Sequence, residues 1–306
     1  MKFEGKGGIN MSRTGANAGI LVESEVIESP WRSVGRRTLR NKTALLGLGI
    51  VSGLILIAIF APYLSPYDPL KIDIINRLSP PSTEHIFGTD RIGRDIFSRI
   101  LYGTRITLQV GIITVTISLI FGTILGTVAG YYGGIVDTIL SRMMDVMLSF
   151  PYILLALVVV AILGPGLYNA MVAIGIVNIP RFARIVRSAA VSVRQNEYIT
   201  AAKALGHKDW KIIFSHLLPN CTAPIIVQAT ISVASAILNA AALSFLGLGA
   251  QPPTAEWGAM LSDGRTVLQT APWVVIFPGM AIMISVLGFN IFGDGLRDVL
   301  DPRSLE

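Results

Sequence analysis

Six long apolar runs punctuate this chain, at about 44–63, 106–130, 135–163, 167–191, 224–248 and 273–292. An α-helix rises about 1.5 Å per residue, so roughly 20 apolar residues cross a hydrocarbon core of about 30 Å. Inside lipid every backbone N–H and C=O must find a partner within the protein, and continuous apolar runs of this length do so as helices. The expected fold is therefore all-α, a polytopic membrane protein with about six transmembrane helices. Composition agrees: 52% of the 306 residues are hydrophobic and 14% charged, against roughly 25% charged in a soluble domain. So apolar a chain is not intrinsically disordered, and its single cysteine, Cys221, excludes a disulfide framework.

The breaks between runs carry turn chemistry. Pro62, Pro66 and Pro69 end the first run, Tyr131-Tyr132-Gly133-Gly134 the second and Gly164-Pro165-Gly166 the third. Pro151, Pro180 and Pro278 fall inside runs and read as kinks whose freed carbonyls neighbouring helices satisfy. Residues 1–43 form a polar tail, basic at its end, with no secretory leader ahead of the first run. With the N-terminus inside, six spans return the C-terminus inside. Of 25 Lys and Arg residues, the outward segments then hold Lys71, Arg77, Arg91, Arg94, Arg99, Arg105 and Arg265, and all the others lie inward. The positive-inside rule favours this orientation. It also accounts for a net charge of +6 without nucleic acid as a partner.

The outward segment 62–105 is more than a simple loop. Asp95 is placed to cap a short helix over 96–101, with Ile96, Phe97, Ile100 and Leu101 on one face and Ser98 and Arg99 on the other. Such a helix would lie in the membrane interface, or form a packed elbow before the second span. Asp90 and Asp95 suit turn capping better than cation binding. In the third run Arg142 and Asp145 are spaced to pair on one helix face. Arg181, Arg184 and Arg187 form a stripe at the inner end of the fourth, read as snorkelling to lipid headgroups. Gly122, Gly126 and Gly130 recur every fourth residue, the spacing of close helix packing.

Two features point to function. In the fifth run, offsets of 4, 3 and 4 align Gln228, Ser232, Ser235 and Asn239 on one stripe. A polar stripe in lipid faces protein or water, so it either bonds neighbouring helices or lines a path for a polar solute. On the inward side, 197–219 reads as a short helix, a glycine turn at Gly206, a second helix and a proline stop at Pro219. It is either an ordinary connection or an elbow that passes a rigid-body push to the spans.

The register of that elbow resembles the EAA loop of permease subunits of bacterial ABC importers. Ala201, Ala202, Gly206, Leu218 and Pro219 match, whereas Thr200 stands where Glu is usual and His216 where Ile is usual. The segments His85-Ile86-Phe87-Gly88-Thr89-Asp90, Gly93-Arg94-Asp95 and Ala242-Leu243-Ser244-Phe245-Leu246-Gly247 resemble the dipeptide/oligopeptide/nickel branch, as does Gly130-Tyr131-Tyr132-Gly133-Gly134. The likeness runs from about Trp31 to Arg303 and is greatest to the second of the two permeases of such systems. It implies a type I ABC-importer permease fold: a cytoplasmic tail 1–43, a first helix and external segment 44–105, a permease core 106–293 with the coupling loop 197–219, and a cytoplasmic tail 294–306. It implies docking of an ATPase through Glu197, Tyr198, Ala201, Ala202, Leu205, Gly206, His207 and Lys208. The implied partners are a homologous permease, two ATPase subunits, an external solute-binding protein and membrane lipid. The cargo would be a di- or oligopeptide, with nickel chelates or glutathione as alternatives. The implied location is a bacterial or archaeal cell membrane.

No Walker sequence occurs, so ATP and Mg²⁺ belong to the partner ATPases and this chain is not expected to be an enzyme or to hold a cofactor. His85, His207 and His216 lack metal-ligand spacing. Cys221 follows Pro219 and Asn220 at a helix boundary and the three histidines are scattered, so it is not read as a nucleophile. An ion-coupled transporter would need acidic or histidine relays deep in the spans, where Asp145 is the one acid and lies near an end. A membrane enzyme would need a nucleophile–base set, and none is evident.

Overall fold

A computed structural model describes residue 38 and residues 41–300 of the chain. Most of the tail 1–43, and residues 301–306 of the closing tail, lie outside the described residues. Every regular element among the described residues is a helix. Helix α1, Lys42–Leu64, is capped by Asn41, whose Oδ1 accepts from the Thr43 and Ala44 amides at 2.9 and 3.1 Å. Helix α2, Ile96–Tyr132, is 37 residues long, about 55 Å at 1.5 Å per residue. Helices α3, Gly134–Ser149, and α4, Tyr152–Leu163, follow, then α5, Leu167–Arg194. The inward connection holds α6, Glu197–Ala204, α7, Asp209–Ile212, a π-turn, Ile213–Leu217, and α8, Leu218–Asn220. Helices α9, Thr222–Phe245, α10, Trp257–Gly264, and α11, Trp273–Leu300, complete the order.

Helices α1, α2, α5, α9 and α11 are each long and apolar enough to cross a membrane, and α3 with α4 are apolar enough only as a pair, bent by 95° at the break, which makes them either one broken span or a re-entrant loop. Five of the expected spans stand as single helices. The third differs: Pro151 marks a break, not a kink. Phe150 and Pro151 both take extended backbone, with ψ of 141° and 129°. A proline disfavours helical geometry in the residue before it, and here both residues leave the helix. The last helix also runs further than the apolar run 273–292, so 294–300 of the expected tail is helical, its final two turns.

Small residues set the helix contacts. A Cβ on Gly122, Gly126 or Gly130 of α2 would overlap Phe182, Ala183 or Ala190 of α5, which confirms the close packing read from their spacing. Gly47 and Gly295 do the same between α1 and α11. One core cluster joins α1, α9, α10 and α11 through Leu54, Ile237, Trp257 and Phe289; a second joins α2, α4, α5 and α9 through Val110, Val160, Ile174 and Leu243.

The expected interfacial helix over 96–101 is the opening of α2 itself. Asp95 caps it as expected, its Oδ2 accepting from the Ser98 amide at 2.8 Å. Ser98 and Arg99, placed on the polar face by the sequence, are buried. Arg99 donates to the carbonyls of Pro69, Pro253 and Thr254 at 3.2, 3.5 and 3.4 Å, tying the external segment and the loop before α10 to the outer end of α2. Asp90 accepts from the Ile92 and Arg94 amides and pairs with Arg94 Nε at 2.6 Å, a turn-capping role.

Candidate functional site

The inward elbow is built by a glycine turn. At the end of α6 the Gly206 amide donates to the Lys203 carbonyl at 2.9 Å and the His207 amide to the Ala202 carbonyl at 3.2 Å. This bond pair is a Schellman motif, and it requires positive φ at the residue after the cap. Gly206 has φ +78°, and a Cβ there would meet no atom within 4 Å, so the constraint is conformational and not steric. Leu205 beside it is 77% exposed, and Glu197, Tyr198, Ala201, Ala204 and Lys208 are exposed as well. His207 is half-buried and its ring stacks on that of His216 at 6.1 Å.

Ala202 faces the other way. It is buried among Tyr131, Ala190, Val193, Ile199, Ile212, Leu217 and Cys221, the cluster that seats the elbow on the inner ends of α2 and α5. It is thus not available to a docking partner, unlike Ala201. The spacing of the pair gave no means of telling inner from outer. Two exposed aromatic residues, Trp210 and Phe214, were not singled out by the sequence and extend the apolar surface of the elbow. The available signal was their position: large apolar side chains in an inward connection between spans.

Tyr131, at the inner end of α2, fastens this elbow. Its hydroxyl donates to Asp209 Oδ1 at 2.7 Å, and the Lys203 ammonium lies 4.7 Å from its ring centroid. Cys221 is buried below it, and desolvation pushes its thiol up to about 11. A thiol so poorly ionised near neutral pH is not a nucleophile.

Above the elbow, the polar stripe of α9 is partly self-satisfied. Gln228 Nε2 donates to Ser232 Oγ at 2.9 Å, and Ser232 is buried, whereas Gln228, Ser235 and Asn239 are half-buried. Gln228 also lines an open cleft of about 540 Å³ with Ile185 of α5, Val227 and Ile231 of α9, and Arg297 and Leu300 of α11. The cleft opens at the inner ends of three helices, just above the elbow.

The charges of α3 and α5 pair with one another. Arg184 Nη2 lies 2.5 Å from Asp145 Oδ1, and Arg187 forms two hydrogen bonds with Asp137. This corrects two expectations. Asp145 pairs across helices and not with Arg142, and Arg184 and Arg187 bind carboxylates in place of lipid headgroups. The one-helix spacing rules saw the i,i+3 neighbour but not the facing helix, which lies 39 and 50 positions away.

Comparison with known proteins places these features in a family. Residues 122–306 match the family model described as the binding-protein-dependent transport system inner membrane component. Residues 29–81 match the N-terminal transmembrane domain of oligopeptide transport permease C. A dipeptide transport system permease protein of Alkalihalophilus pseudofirmus is 59% identical over 275 residues, 90% of each chain. A glutathione transport system permease protein of Pectobacterium atrosepticum is 48% identical over 284 residues, covering 92% of this chain and 94% of that one. Among solved structures, the inward-facing MetNI methionine ABC transporter aligns over 67% of this chain and 98% of its own with a TM-score of 0.54 at 20% identity, a likeness of fold. The five long helices, the bent α3–α4 pair and the seated elbow are thus the frame of an ABC-importer permease, and the chain belongs to the inner-membrane permeases of binding-protein-dependent transport systems.

Proposed function

We propose that this chain forms, with a homologous permease, the membrane path of an ATP-driven importer of di- or oligopeptides. Two ATPase subunits, which bind ATP and Mg²⁺, dock beneath it, and an external solute-binding protein delivers cargo from above. The observation that carries this reading is the elbow: Tyr198, Ala201, Leu205 and Gly206 are presented outward by a rigid glycine turn, while Ile199 and Ala202 lock the same turn onto α2 and α5. Closure of the ATPases moves the elbow as a body, and the helices it is seated on carry the displacement to the path. The peptide cargo is supported by the named activity of the dipeptide relatives. A second cargo, glutathione, is supported by relatives of that name at 48–49% identity and is itself a peptide derivative.

The test is purification of the permease pair with its ATPases, combined with uptake in vesicles. Gly206→Val places a β-branched residue at positive φ, a strain of roughly 1–2 kcal/mol that deforms the turn. Leu205→Arg leaves the turn intact and replaces an exposed apolar contact by a charge. Both are expected to cut ATPase retention and ATP-driven uptake by about tenfold or more, the scale of a central interface residue. Wild-type retention and uptake in both variants would refute the elbow as the docking joint.

A further inference from the structure

Of the four arginines on the inner half of α5, Arg181, Arg184, Arg187 and Arg194, two are neutralised by carboxylates of α3. Arg184 and Arg187 pair with Asp145 and Asp137 of α3. Arg181, one turn outward, is exposed, and no carboxylate among the described residues pairs with it. It lies 14 residues beyond Leu167, the outer end of α5, or about 21 Å along the helix and so within a hydrocarbon core of about 30 Å. A guanidinium with no carboxylate partner at that depth faces protein, water or a ligand in preference to lipid chains.

Its surroundings are polar and come from three helices. The guanidinium carbon sits 5.7 Å from the ring centroid of Tyr152, the first residue of α4 after the break. Stacking over a ring leaves the in-plane N–H groups of an arginine free to donate. The Tyr152 hydroxyl accepts from Asn178 Nδ2 at 3.3 Å, which fixes the ring, and it also interacts with Asn239, the outermost member of the α9 polar stripe. One turn inward of Arg181, on the same face of α5, Ile185 lines the open cleft with Gln228. Arg181 thus stands one turn outward of a residue that lines the cleft, over the ring of Tyr152 at the start of α4. A guanidinium fork beside a tyrosine hydroxyl and a carboxamide is a donor set for a carboxylate, which accepts two parallel N–H bonds from arginine.

We propose that Arg181, with Tyr152 and Asn239, is a carboxylate-binding station in the translocation path, engaging the terminal carboxylate of a peptide as it passes. The proposal rests on the peptide-importer reading above and gives it a chemical handle: the carboxylate is the one charged group shared by free peptides whatever their side chains.

The test uses the complete transporter in vesicles, with Cys221→Ser and Ile185→Cys to place a thiol in the cleft. In the nucleotide-free complex, a water-soluble impermeant thiol reagent is expected to label Cys at 185 from the inner side. Millimolar dialanine should slow that labelling severalfold, dialanine amide should not, and Arg181→Gln should abolish the difference. At saturating loaded binding protein, Arg181→Gln should lower maximal dialanine uptake by about tenfold, while Arg181→Lys, which keeps the charge but loses the fork and the ring stacking, should fall between the Gln variant and wild type. Equal protection by the acid and the amide, no labelling from water, or wild-type uptake with Gln at 181 would each overturn the station. A lipid phosphate offers similar anion chemistry. If wild-type uptake depends on phosphatidylglycerol in the vesicles and Arg181→Gln removes that dependence, Arg181 belongs to the lipid and the proposal fails. Absence of ATP-driven dialanine uptake by the wild-type complex would instead sink the peptide-importer reading itself.

Discussion

Glu256 shows how a single carboxyl group secures the outer face. It is buried beside the loop before α10, and its two oxygens accept from the Gly258 and Ala259 amides at 2.9 and 2.8 Å. Desolvation raises its pKa above the usual carboxylate value, and the two amides and Ser244 pull it part of the way back. For an acid whose folded pKa is raised, the stabilising contribution is present below the unfolded value and is lost as pH rises through the folded one. Glu256→Gln keeps an acceptor oxygen and removes the buried charge. We expect the melting temperature of the variant, relative to wild type, to rise as the pH is raised above the ordinary glutamate range. A difference that stays flat with pH would show that the charge is not the cause. Nothing in the sequence marked Glu256, because its burial is made by residues distant along the chain. Gly206 and Asp95, by contrast, were legible, since a glycine turn and a helix cap are local devices. Ala202 and Arg99 lie between these cases: their residue types fitted an exposed face, and only the packing of α6 on α5 and of α2 on the external segment turned them inward.

The α2–α5 seam was legible for the same local reason. Three glycines at a spacing of four fall on one helix face, and the partner backbone approaches to where a side chain would begin. Even the smallest addition is crowded there: a Cβ on Gly130 would stand 2.6 Å from the Ala190 Cβ. Gly126→Leu is expected to cost about 1–3 kcal/mol or more in the chain's fold, as overpacking does, and to reduce the yield of monodisperse protein in detergent. Gly49→Ala, where a Cβ meets nothing within 4 Å, serves as the control and should be neutral or mildly stabilising. Equal behaviour of the two variants would mean that the seam is loose. The broken third crossing was not legible. The run 135–163 is continuous in apolarity, and Pro151 resembled Pro180 and Pro278, which sit inside unbroken helices. What separates it is cross-helix chemistry. The pairs Asp137–Arg187 and Asp145–Arg184 fasten α3 to α5, while α4 packs on α5 through Ala156 and Val160, so the two halves are held by different contacts on either side of the proline.

That break bears on the layout of the entire chain in the membrane. At 16 and 12 residues, or about 24 and 18 Å, neither α3 nor α4 spans a core of about 30 Å alone. If the pair together makes one crossing, the six crossings return both termini to one side. If it turns back, five crossings leave the termini on opposite sides. Hydropathy of the run cannot separate these cases, but the charges favour the first. Arg194 closes α5 and the segment after it carries Lys203, Lys208 and Lys211; Lys42 opens α1 and the segment before it carries Arg36, Arg37 and Arg40. Short basic segments are generally retained inside, so both are expected on the cytoplasmic face, an even number of crossings apart. Between them lie α1, α2, the bent pair and α5, which gives four crossings only if the pair counts as one. We therefore expect both termini inside, with Cys221→Ser as background. A cysteine in place of Ile75, which is 95% exposed in the external segment, should react with an impermeant thiol reagent in intact cells. Cysteines in place of Glu25 and of Leu300 should react only after permeabilisation. Labelling at 300 but not at 25 in intact cells would mean that α3 and α4 form a re-entrant hairpin, and the elbow, together with the cleft above it, would then lie on the external face.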